Sequence, residues 1–317
     1  MKILSIAPSR ISLFGGGTDI ELYASKYGGL TINIAINLRQ KVTMYSGGDL
    51  WEVSGANYFP YKADPKFAYQ ILSEFGINDF HQTKLICKYD GLIESGLGSS
   101  AAAAVALIGA INKRQNLGLT TTQIAEKAWW LETQRLNLYG GRQDQYAAAF
   151  GGVNVMEFKD RVTIVPLAKG FIDKLVPYFV LVYTGFNRKS AVIQEGFKHL
   201  SKKQIKVLDQ IKDLALNSID PIGKGDYLKV GEMLDWGWQL KKESNEGVTN
   251  STIDSIYEKA ISEGAVGGKV LGAGGGGFML FIVPPEKQKD FIEKMGLDHW
   301  DFSICWNGLE VRDITNK

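Results

Sequence analysis

The chain has 317 residues, and its 36 lysines and arginines against 34 aspartates and glutamates give a net charge of +2. This balance, without a long basic run, gives no indication of nucleic-acid binding. There are only two cysteines, far apart, no apolar run approaches the roughly 20 residues of a membrane span, and the first residues lack a signal-peptide pattern. We therefore expect a soluble cytoplasmic protein, a monomer or homodimer, with no nucleic-acid or membrane partner.

The first half of the chain predicts a mixed α and β unit. Runs rich in Ile, Val, Thr and aromatic residues are typical of strands, and stretches with helical periodicity separate them. A β-hairpin pattern closes this half at 151–158 and 161–167. The earlier predicted strands are 2–8, 29–38, 40–46, 50–55 and 83–89, and the predicted helices are about 66–75, 99–115 and 121–136.

The pattern restarts near residue 176 with a buried strand at 178–185. Further on, a strand, a glycine loop and another strand follow a group of helices, so the second half resembles a sheet covered by helices. No internal repeat or low-complexity linker marks a boundary, which we place between residues 172 and 173. The predicted helices are about 189–218, 225–245, 251–263 and 285–296, and the closing strand region is 301–314.

Glycine clusters occur at 15–17, 96–98 and 272–277. The second cluster, in SGLGSSAAAAVAL (95–107), leads directly into an alanine-rich helical pattern. Because a helix start has unpaired N–H groups and partial positive charge, this loop is a candidate phosphate site. A serine-capped helix after a glycine turn is the plainer alternative.

The common nucleotide motifs do not account for these clusters. The chain contains no G-x-x-x-x-G-K-[ST] segment and no H-R-D catalytic loop. Two weak matches to the dinucleotide pattern begin at Gly96 and Gly272. The first has no acidic residue about 20 positions later, and the second precedes a strand pattern instead of a helix, so a nicotinamide enzyme is not indicated.

In this order and spacing, three segments resemble the motifs of the GHMP kinases, named for galactokinase, homoserine kinase, mevalonate kinase and phosphomevalonate kinase. They are APSRISLFGGGTD (7–19), SGLGSSAA (95–102) and KVLGAGGGGF (269–278). GGGTDIELYASKYGG (15–29) and GGRQDQYAAAFGGVNVMEF (140–158) resemble the branch that phosphorylates the anomeric hydroxyl of D-glycero-D-manno-heptose 7-phosphate. The resemblance spans nearly the whole chain.

The resemblance implies an α+β fold of two domains and an ATP- and Mg²⁺-dependent kinase. Residues 1–172 would form a ribosomal-protein-S5-like α/β domain that binds ATP, and 173–317 a ferredoxin-like domain with added helices. Asp144 matches the catalytic aspartate of the family, and Arg10 matches the galactokinase-type arginine that pairs with it. From the residues alone, an Asp in a helix first turn and an exposed Arg at a strand end are the plainer interpretations.

The same resemblance assigns the ATP phosphates and the metal. Mg²⁺ accepts hard oxygen ligands, for which Ser100 and Glu132 match the family, with Ser99 the less favoured serine. A glutamate on a helix usually faces solvent, but the apolar residues 129–131 before it indicate a partly buried carboxylate. The three histidines, His81, His199 and His299, are distant from every motif, so histidine-based or zinc chemistry is not indicated. The expected phosphate loop consists of Gly96, Leu97, Gly98, Ser99, Ser100 and Ala101.

Sugar binding is assigned to Asp19, with Gly17 and Thr18 beside it; a helix N-cap is the alternative role of Asp19. Gly274 and Gly275 would close the site from the second half, or form a tight strand connection without ligand contact. A phosphate on the acceptor would need further cations, and solvated surface charge is the alternative for each candidate. These candidates are Arg142, Arg188, Lys189, Lys241 and Lys242.

Two features of the loop depart from the family pattern: it lacks the preceding proline and carries Glu94, so we expect reduced ATP affinity. Three functional alternatives stay open. They are a kinase for another sugar such as fucose or galactose, a kinase for another alcohol of the family, and a sugar- and ATP-binding regulator without turnover. The presence of Arg10, Asp144, Ser100 and Glu132 argues against the regulator.

Overall fold

The structure is a computed structural model that describes residues 1–46, 53–54, 66–78, 83–187, 195–197 and 199–315. Two long strands, β1 (Lys2–Phe14) and β2 (Gly29–Ser46), organise its first sheet and pair antiparallel. The first part of β2 also pairs with β5 (Val153–Phe158), and the last part pairs with β4 (Thr83–Tyr89). The order is β10-β1-β2-β4-β3, with β3 at Val53–Ser54, β10 at Glu310–Asp313, and β6 (Val162–Pro166) paired to β5.

Both long strands exceed the predicted lengths. The predicted strands 29–38 and 40–46 are one strand, because the intervening Arg39 is no strand breaker and its carbonyl accepts a hydrogen bond from Asp90 N at 3.1 Å. β1 passes through Pro8 with a register shift between Pro8 and Ser9, which accommodates a residue without an N–H group. The continuation beyond Pro8 carries Arg10 into the interior, where it is 5% exposed.

Helix α3 (Ser99–Gln115) packs on this sheet against β1 and β2, with the bounds that the sequence predicts. Its residues 101–111 are all buried, and the run of small alanines lets a buried helix fit directly against the strands. The amino end of α3 is therefore held in place by the core. The neighbouring helices are α1 (Glu21–Tyr27), α2 (Lys66–Glu74), α4 (Thr121–Trp130) and α5 (Gln143–Phe150).

The helix predicted at 121–136 changes character before its end. A capping box between Thr120 and Gln123 starts α4, which ends at Trp130. A π-helical turn, Leu131–Arg135, follows. Such turns shift the direction of side chains relative to an α-helix and are frequent at functional sites. Glu132 lies in this turn.

The second sheet has the order β7-β9-β8, formed by Phe179–Tyr183, Phe278–Ile282 and Gly267–Val270. Within the segment predicted as a helix at 189–218, the structure describes a helix that begins at Lys202, after a capping box between Ser201 and Gln204; residues 188–194 and 198 lie outside the described residues. The helices of this half are α6 (Lys202–Lys224), α7 (Tyr227–Ser244), α8 (Ser251–Ser262) and α9 (Gln288–Met295).

The closing strand corrects one expectation. We expected 301–314 to complete the second half, but β10 pairs antiparallel with β1 of the first sheet, from Ile3 opposite Asp313 to Ile6 opposite Glu310. The α+β class is confirmed, while the boundary between 172 and 173 stays a prediction. Among the described residues, none of the helices is sufficiently long and apolar to span a membrane.

Candidate active site

The described residues enclose a cavity of about 310 Å³, whose wall combines β1, the loop before α3, the start of α5 and the turn between β8 and β9. Both halves of the chain thus contribute to one site. The predicted site residues in its wall are Arg10, Gly17, Asp19, Gly96, Gly98, Ser99, Ser100, Ala101, Glu132 and Asp144. The predicted site residues outside this wall are Thr18, Leu97, Arg142, Gly274 and Gly275.

The glycine loop presents the start of α3 to the cavity. Gly98 precedes the helix in the left-handed conformation (φ +73°), and no side chain caps the first turn. The first N–H groups of a helix lack intrahelical acceptors, and this first turn contains no acidic residue. The backbone of Ser99–Ala101 therefore offers an electropositive seat for a phosphate.

Two residues of the loop anchor it to the rest of the fold. The Leu97 side chain is fully buried and its carbonyl accepts a hydrogen bond from Arg10 N at 2.9 Å, while the ATP role of Leu97 stays a prediction. Gly96 lies against the third glycine segment, where an added Cβ would be 2.6 Å from the Leu271 carbonyl oxygen. The third motif therefore supports the second.

Gly274 and Gly275, which we expected at the substrate, pack elsewhere. Gly275 N donates to the Val248 carbonyl at 2.7 Å, and a Cβ on Gly274 would lie 2.6 Å from the same oxygen. The close packing fits the alternative of a tight strand connection, and the substrate contact of these glycines stays a prediction. Gly272 and Ala273 line the cavity instead.

Arg10 and Asp144 form a bidentate ion pair beside the glycine loop. Arg10 Nε and Nη2 donate to the two carboxylate oxygens at 2.7 and 2.5 Å, and Nη1 donates to the Gly96 carbonyl at 2.7 Å. Asp144 lies in the first turn of α5, and its side chain is 26% exposed against 6% for Arg10. The arginine therefore joins the loop to a carboxylate that remains open to the cavity.

Glu132 and Ser100 also meet, as predicted for a metal site. The Ser100 hydroxyl donates to Glu132 Oε1, and Gln145 Nε2 donates to Oε2 at 2.6 Å. Burial raises the pKa of Glu132 to about 7, against the effect of these two hydrogen bonds, and the charge of Asp144 adds to the shift. Gln145 Oε1 is buried without a hydrogen-bond partner among the described residues. A hard cation with bound water would satisfy these oxygens and offset the buried charge, so the donor set fits Mg²⁺.

Asp19 also lines the cavity, where hydrogen bonds hold its carboxylate in place. Its carboxylate accepts hydrogen bonds from Gly17 N and Gln143 N, both at 3.1 Å, and from Gln143 Nε2 at 3.2 Å. The N-cap alternative is not observed, because Ile20 occupies that position without a side-chain bond. Burial raises the pKa of Asp19, and the nearby charge of Asp144 adds to this effect.

Thr18 and Arg142 use their polar groups in contacts within the protein, and their sugar contacts stay predictions. The buried Thr18 hydroxyl donates to the carbonyls of Gly15 and Leu30 at 2.8 and 3.0 Å, so it holds the turn before Asp19. Arg142 Nη2 lies 2.7 Å from Glu21 Oε2, and its guanidinium stacks 4.1 Å from the centre of the Trp129 ring. Neither side chain lines the cavity.

Sequence reasoning did not single out Gln143, Gln145 or Lys269, whose polar side chains belong to residues that line the cavity. The two glutamines flank Asp144 in the quoted Q-D-Q segment, which was the available signal. Lys269 opens the third motif, and Lys241, one of the cation candidates, reaches the same wall. Lys242 does not line the cavity, and its Nζ lies 3.9 Å from Asp254 Oδ1. Arg188, Lys189 and His81 lie outside the described residues.

Family comparison agrees with this geometry. The model of the GHMP kinases N terminal domain matches residues 65–152, and that of the GHMP kinases C terminal matches residues 201–300. A D-glycero-alpha-D-manno-heptose 7-phosphate kinase from Campylobacter jejuni is 33% identical over 327 aligned positions that cover 96% of each chain. The chain belongs to the GHMP kinase family. It is an ATP-dependent sugar kinase.

Two further GHMP relatives extend the comparison. The crystal structure of a D-glycero-D-manno-heptose 1-phosphate kinase from Bacteroides thetaiotaomicron has a TM-score of 0.78 at 27% identity, covering 99% of this chain and all of that one. An L-fucokinase/L-fucose-1-P guanylyltransferase from Bacteroides fragilis is 28% identical over 63% of this kinase and 22% of its own length. The two heptose kinases carry names that put the acceptor's phosphate at different carbons.

Proposed function

We propose that this GHMP kinase transfers the γ-phosphoryl group of ATP to the anomeric hydroxyl of D-glycero-D-manno-heptose 7-phosphate, giving the 1,7-bisphosphate and ADP. The observation that carries the proposal is the Arg10–Asp144 pair, which faces the uncapped start of α3 in one cavity. The balanced charge supports small-molecule reactants, and a cytoplasmic monomer or homodimer belongs to the same proposal.

Asp144 acts on the acceptor hydroxyl. Its carboxylate, oriented by two hydrogen bonds from Arg10, accepts or directs the hydroxyl proton while the oxygen attacks the γ-phosphorus and the bond to ADP breaks. The remaining Arg10 contact, to the Gly96 carbonyl, keeps this positive charge beside the phosphate loop. Positive charge at this position stabilises the negatively charged oxygens of the phosphoryl group during its transfer.

The donor phosphates fit the N–H groups of residues 99–101, which have no competing cap. Ser100 and Glu132 would hold Mg²⁺, with Gln145 beside them. When bound, the ion would neutralise phosphate charge. Ser100 thereby belongs to both the phosphate loop and the metal site, which fixes the position of one relative to the other.

Asp19 and Gln143 provide for the sugar. The Asp19 carboxylate is available to accept sugar hydroxyls, and its hold on Gln143 Nε2 leaves Gln143 Oε1 buried without a partner among the described residues. An unpaired buried oxygen is costly, and a sugar hydroxyl would satisfy it. The acceptor itself is proposed from the name of the Campylobacter jejuni relative.

The deciding experiment is ADP release with a panel of acceptors: heptose 7-phosphate, heptose 1-phosphate, unphosphorylated heptose, fucose, galactose and mevalonate. We expect the highest kcat/KM with the 7-phosphate, and phosphorus NMR should show a new anomeric phosphate. A preference for heptose 1-phosphate or for a neutral sugar would replace the proposed acceptor while leaving a sugar kinase. ATP binding without turnover of any acceptor would favour the regulator.

A further inference from the structure

Two lysines of the cavity wall take no part in the mechanism described above. Lys269, at the end of β8, is 9% exposed, and its Nζ donates to the carbonyls of Ser12 and Leu13 at 2.9 and 3.0 Å. Lys241, in the last turn of α7, donates to the carbonyls of Val270 and Gly272 at 3.1 and 2.5 Å. Both side chains line the same cavity as Arg10 and Gly96.

Neither ammonium group forms an ion pair with a carboxylate of the described residues. Two carboxylates that line the cavity are engaged otherwise: Asp144 pairs with Arg10, and Glu132 is bonded to Ser100 and Gln145. Each lysine keeps one N–H beyond the two carbonyls that it contacts, because an ammonium has three. The third donor of each group is therefore available to a ligand.

The lysines also repel one another electrostatically. Burial lowers the pKa of Lys269 to about 7, and the positive charge of Arg10 adds to this shift. Burial likewise lowers the pKa of Lys241, with the charges of Lys269 and Arg10 as further causes. Uncompensated charges in a buried wall are costly, and a bound anion offsets that cost.

The position of the pair points to the anion's chemistry. Lys241 contacts Gly272, whose Cβ position would lie 2.6 Å from Gly96 Cα, so this lysine is adjacent to the phosphate loop. Lys269 contacts β1 at Ser12. The same strand carries Arg10, and it ends just before the glycine turn that starts at Gly15. A group held between them borders both the donor and the acceptor regions.

We propose that Lys241 and Lys269 together bind a phosphate group of a reactant, as a subsite distinct from the N–H groups at the start of α3. This subsite rests on the proposed function, since either reactant could supply the group: the γ-phosphate of ATP or the remote phosphate of the acceptor. Two ammonium donors suit a phosphate dianion, because each hydrogen bond is charge-assisted.

The test uses Lys241→Met and Lys269→Met, which remove the charge and keep an unbranched side chain. Calorimetry measures the affinity for two matched pairs of probes with Mg²⁺: a non-hydrolysable ATP analogue against ADP, and heptose 7-phosphate against unphosphorylated heptose. Lys229→Met is the control, since Lys229 is on the same helix but exposed and paired with Glu232.

We expect each variant to weaken one probe by at least about tenfold while its partner without the phosphate stays within about twofold. Loss confined to the ATP analogue assigns the γ-phosphate, and loss confined to heptose 7-phosphate assigns the acceptor. Lys241→Arg should retain most of the affinity. If Lys269→Met does not fold, Lys241→Met decides, because it frees only two carbonyls of the third glycine segment.

Equal weakening within both probe pairs, or no weakening in a folded variant, would overturn the subsite and leave the lysines as ties between backbone segments. The proposed function fails differently. In that case the unmodified enzyme does not phosphorylate heptose 7-phosphate, whereas Lys241→Met and Lys269→Met still weaken binding of the ATP analogue relative to ADP if the subsite holds the γ-phosphate.

Discussion

Gly98 lies so close to Asp144 that a Cβ on the glycine would be 3.1 Å from Oδ2, and it would be 3.3 Å from Arg10 Cζ. The left-handed conformation of Gly98 therefore leaves the space in which Arg10 and Asp144 pair. We predict that Gly98→Ala lowers kcat by at least about tenfold, because the carboxylate must shift from its oriented position. Steady-state kinetics of the folded variant is the measurement.

Gly118→Ala is the matched control for this substitution. Gly118 has φ +70° but no atom within 4 Å of its Cβ position. Both substitutions place alanine in the left-handed region, which costs roughly 1–2 kcal/mol. Similar losses of stability with a loss of kcat only in Gly98→Ala would support the packing argument, whereas a normal kcat in Gly98→Ala would refute it.

Asp144→Asn should preserve the fold and ATP affinity while lowering kcat by about 100-fold or more, because the amide cannot accept the hydroxyl proton as a carboxylate does. The measurements are kcat, ATP affinity and thermal unfolding. Asp160→Asn, at an exposed turn between β5 and β6, is the control. A kcat near that of the parent would remove Asp144 from the mechanism.

Ser100→Ala and Glu132→Gln should each raise the Mg²⁺ concentration that gives half the maximal rate. The two side chains are in contact, so we expect the double variant to lose less than the sum of the single effects. Mg²⁺ titrations of all four proteins form the double-mutant cycle. Titration curves identical to that of the parent would assign the metal ligands elsewhere.

The raised pKa of Glu132 predicts a pH dependence of stability in metal-free protein. With a pKa near 4.5 when unfolded and about 7 when folded, the folded state holds a proton that the unfolded state releases between these values. Stability from this group is therefore present below the lower value and lost as the pH rises to about 7, by about 3 kcal/mol.

Urea unfolding with a chelator at several pH values checks this expectation. Glu132→Gln lacks the titrating group, so it should not show this loss of stability. The difference between the free energy of unfolding of the variant and that of the parent should therefore increase as the pH rises through the same window. Mg²⁺ at about pH 8 should stabilise the parent more than the variant. Parallel pH profiles of the two proteins would show that Glu132 does not titrate as described.

Gln143→Met should raise KM for the sugar by about tenfold and leave KM for ATP unchanged, because it removes the buried, unpaired oxygen that we propose binds a sugar hydroxyl. Asp19 loses one hydrogen bond in this variant but keeps the two from backbone N–H groups. Equal changes in both KM values would indicate a structural role for Gln143.

The sequence allowed prediction wherever a local pattern determines the structure. Helix α3 has its predicted bounds, because glycines precede a continuous run of helix-forming residues. The Arg10–Asp144 contact joins residues 134 positions apart, so periodicity could not show it and only the family resemblance indicated it. The π-helical turn at Leu131–Arg135 depends on tertiary packing, which overrides the helical pattern of that segment.

Residue type also did not predict which side chains of a motif face the cavity. Thr18 and Arg142 lie in motifs that reach the cavity, yet their polar groups are used by neighbouring protein groups. Lys269 looked like the first residue of a glycine motif, and its role depends on carbonyls of β1 that are more than 250 positions away. Which side of a segment faces a cavity is decided by the assembled fold.

The return of β10 to the first sheet has a consequence for synthesis of the protein. Until residues 310–313 leave the ribosome, the free edge of β1 has no strand partner on that side, although β1 is the first strand to be made. An unpaired edge is a template for association with other chains. Before β10 has formed, this edge of β1 is open to pairing with other chains, and the pairing of β10 with β1 removes that opportunity.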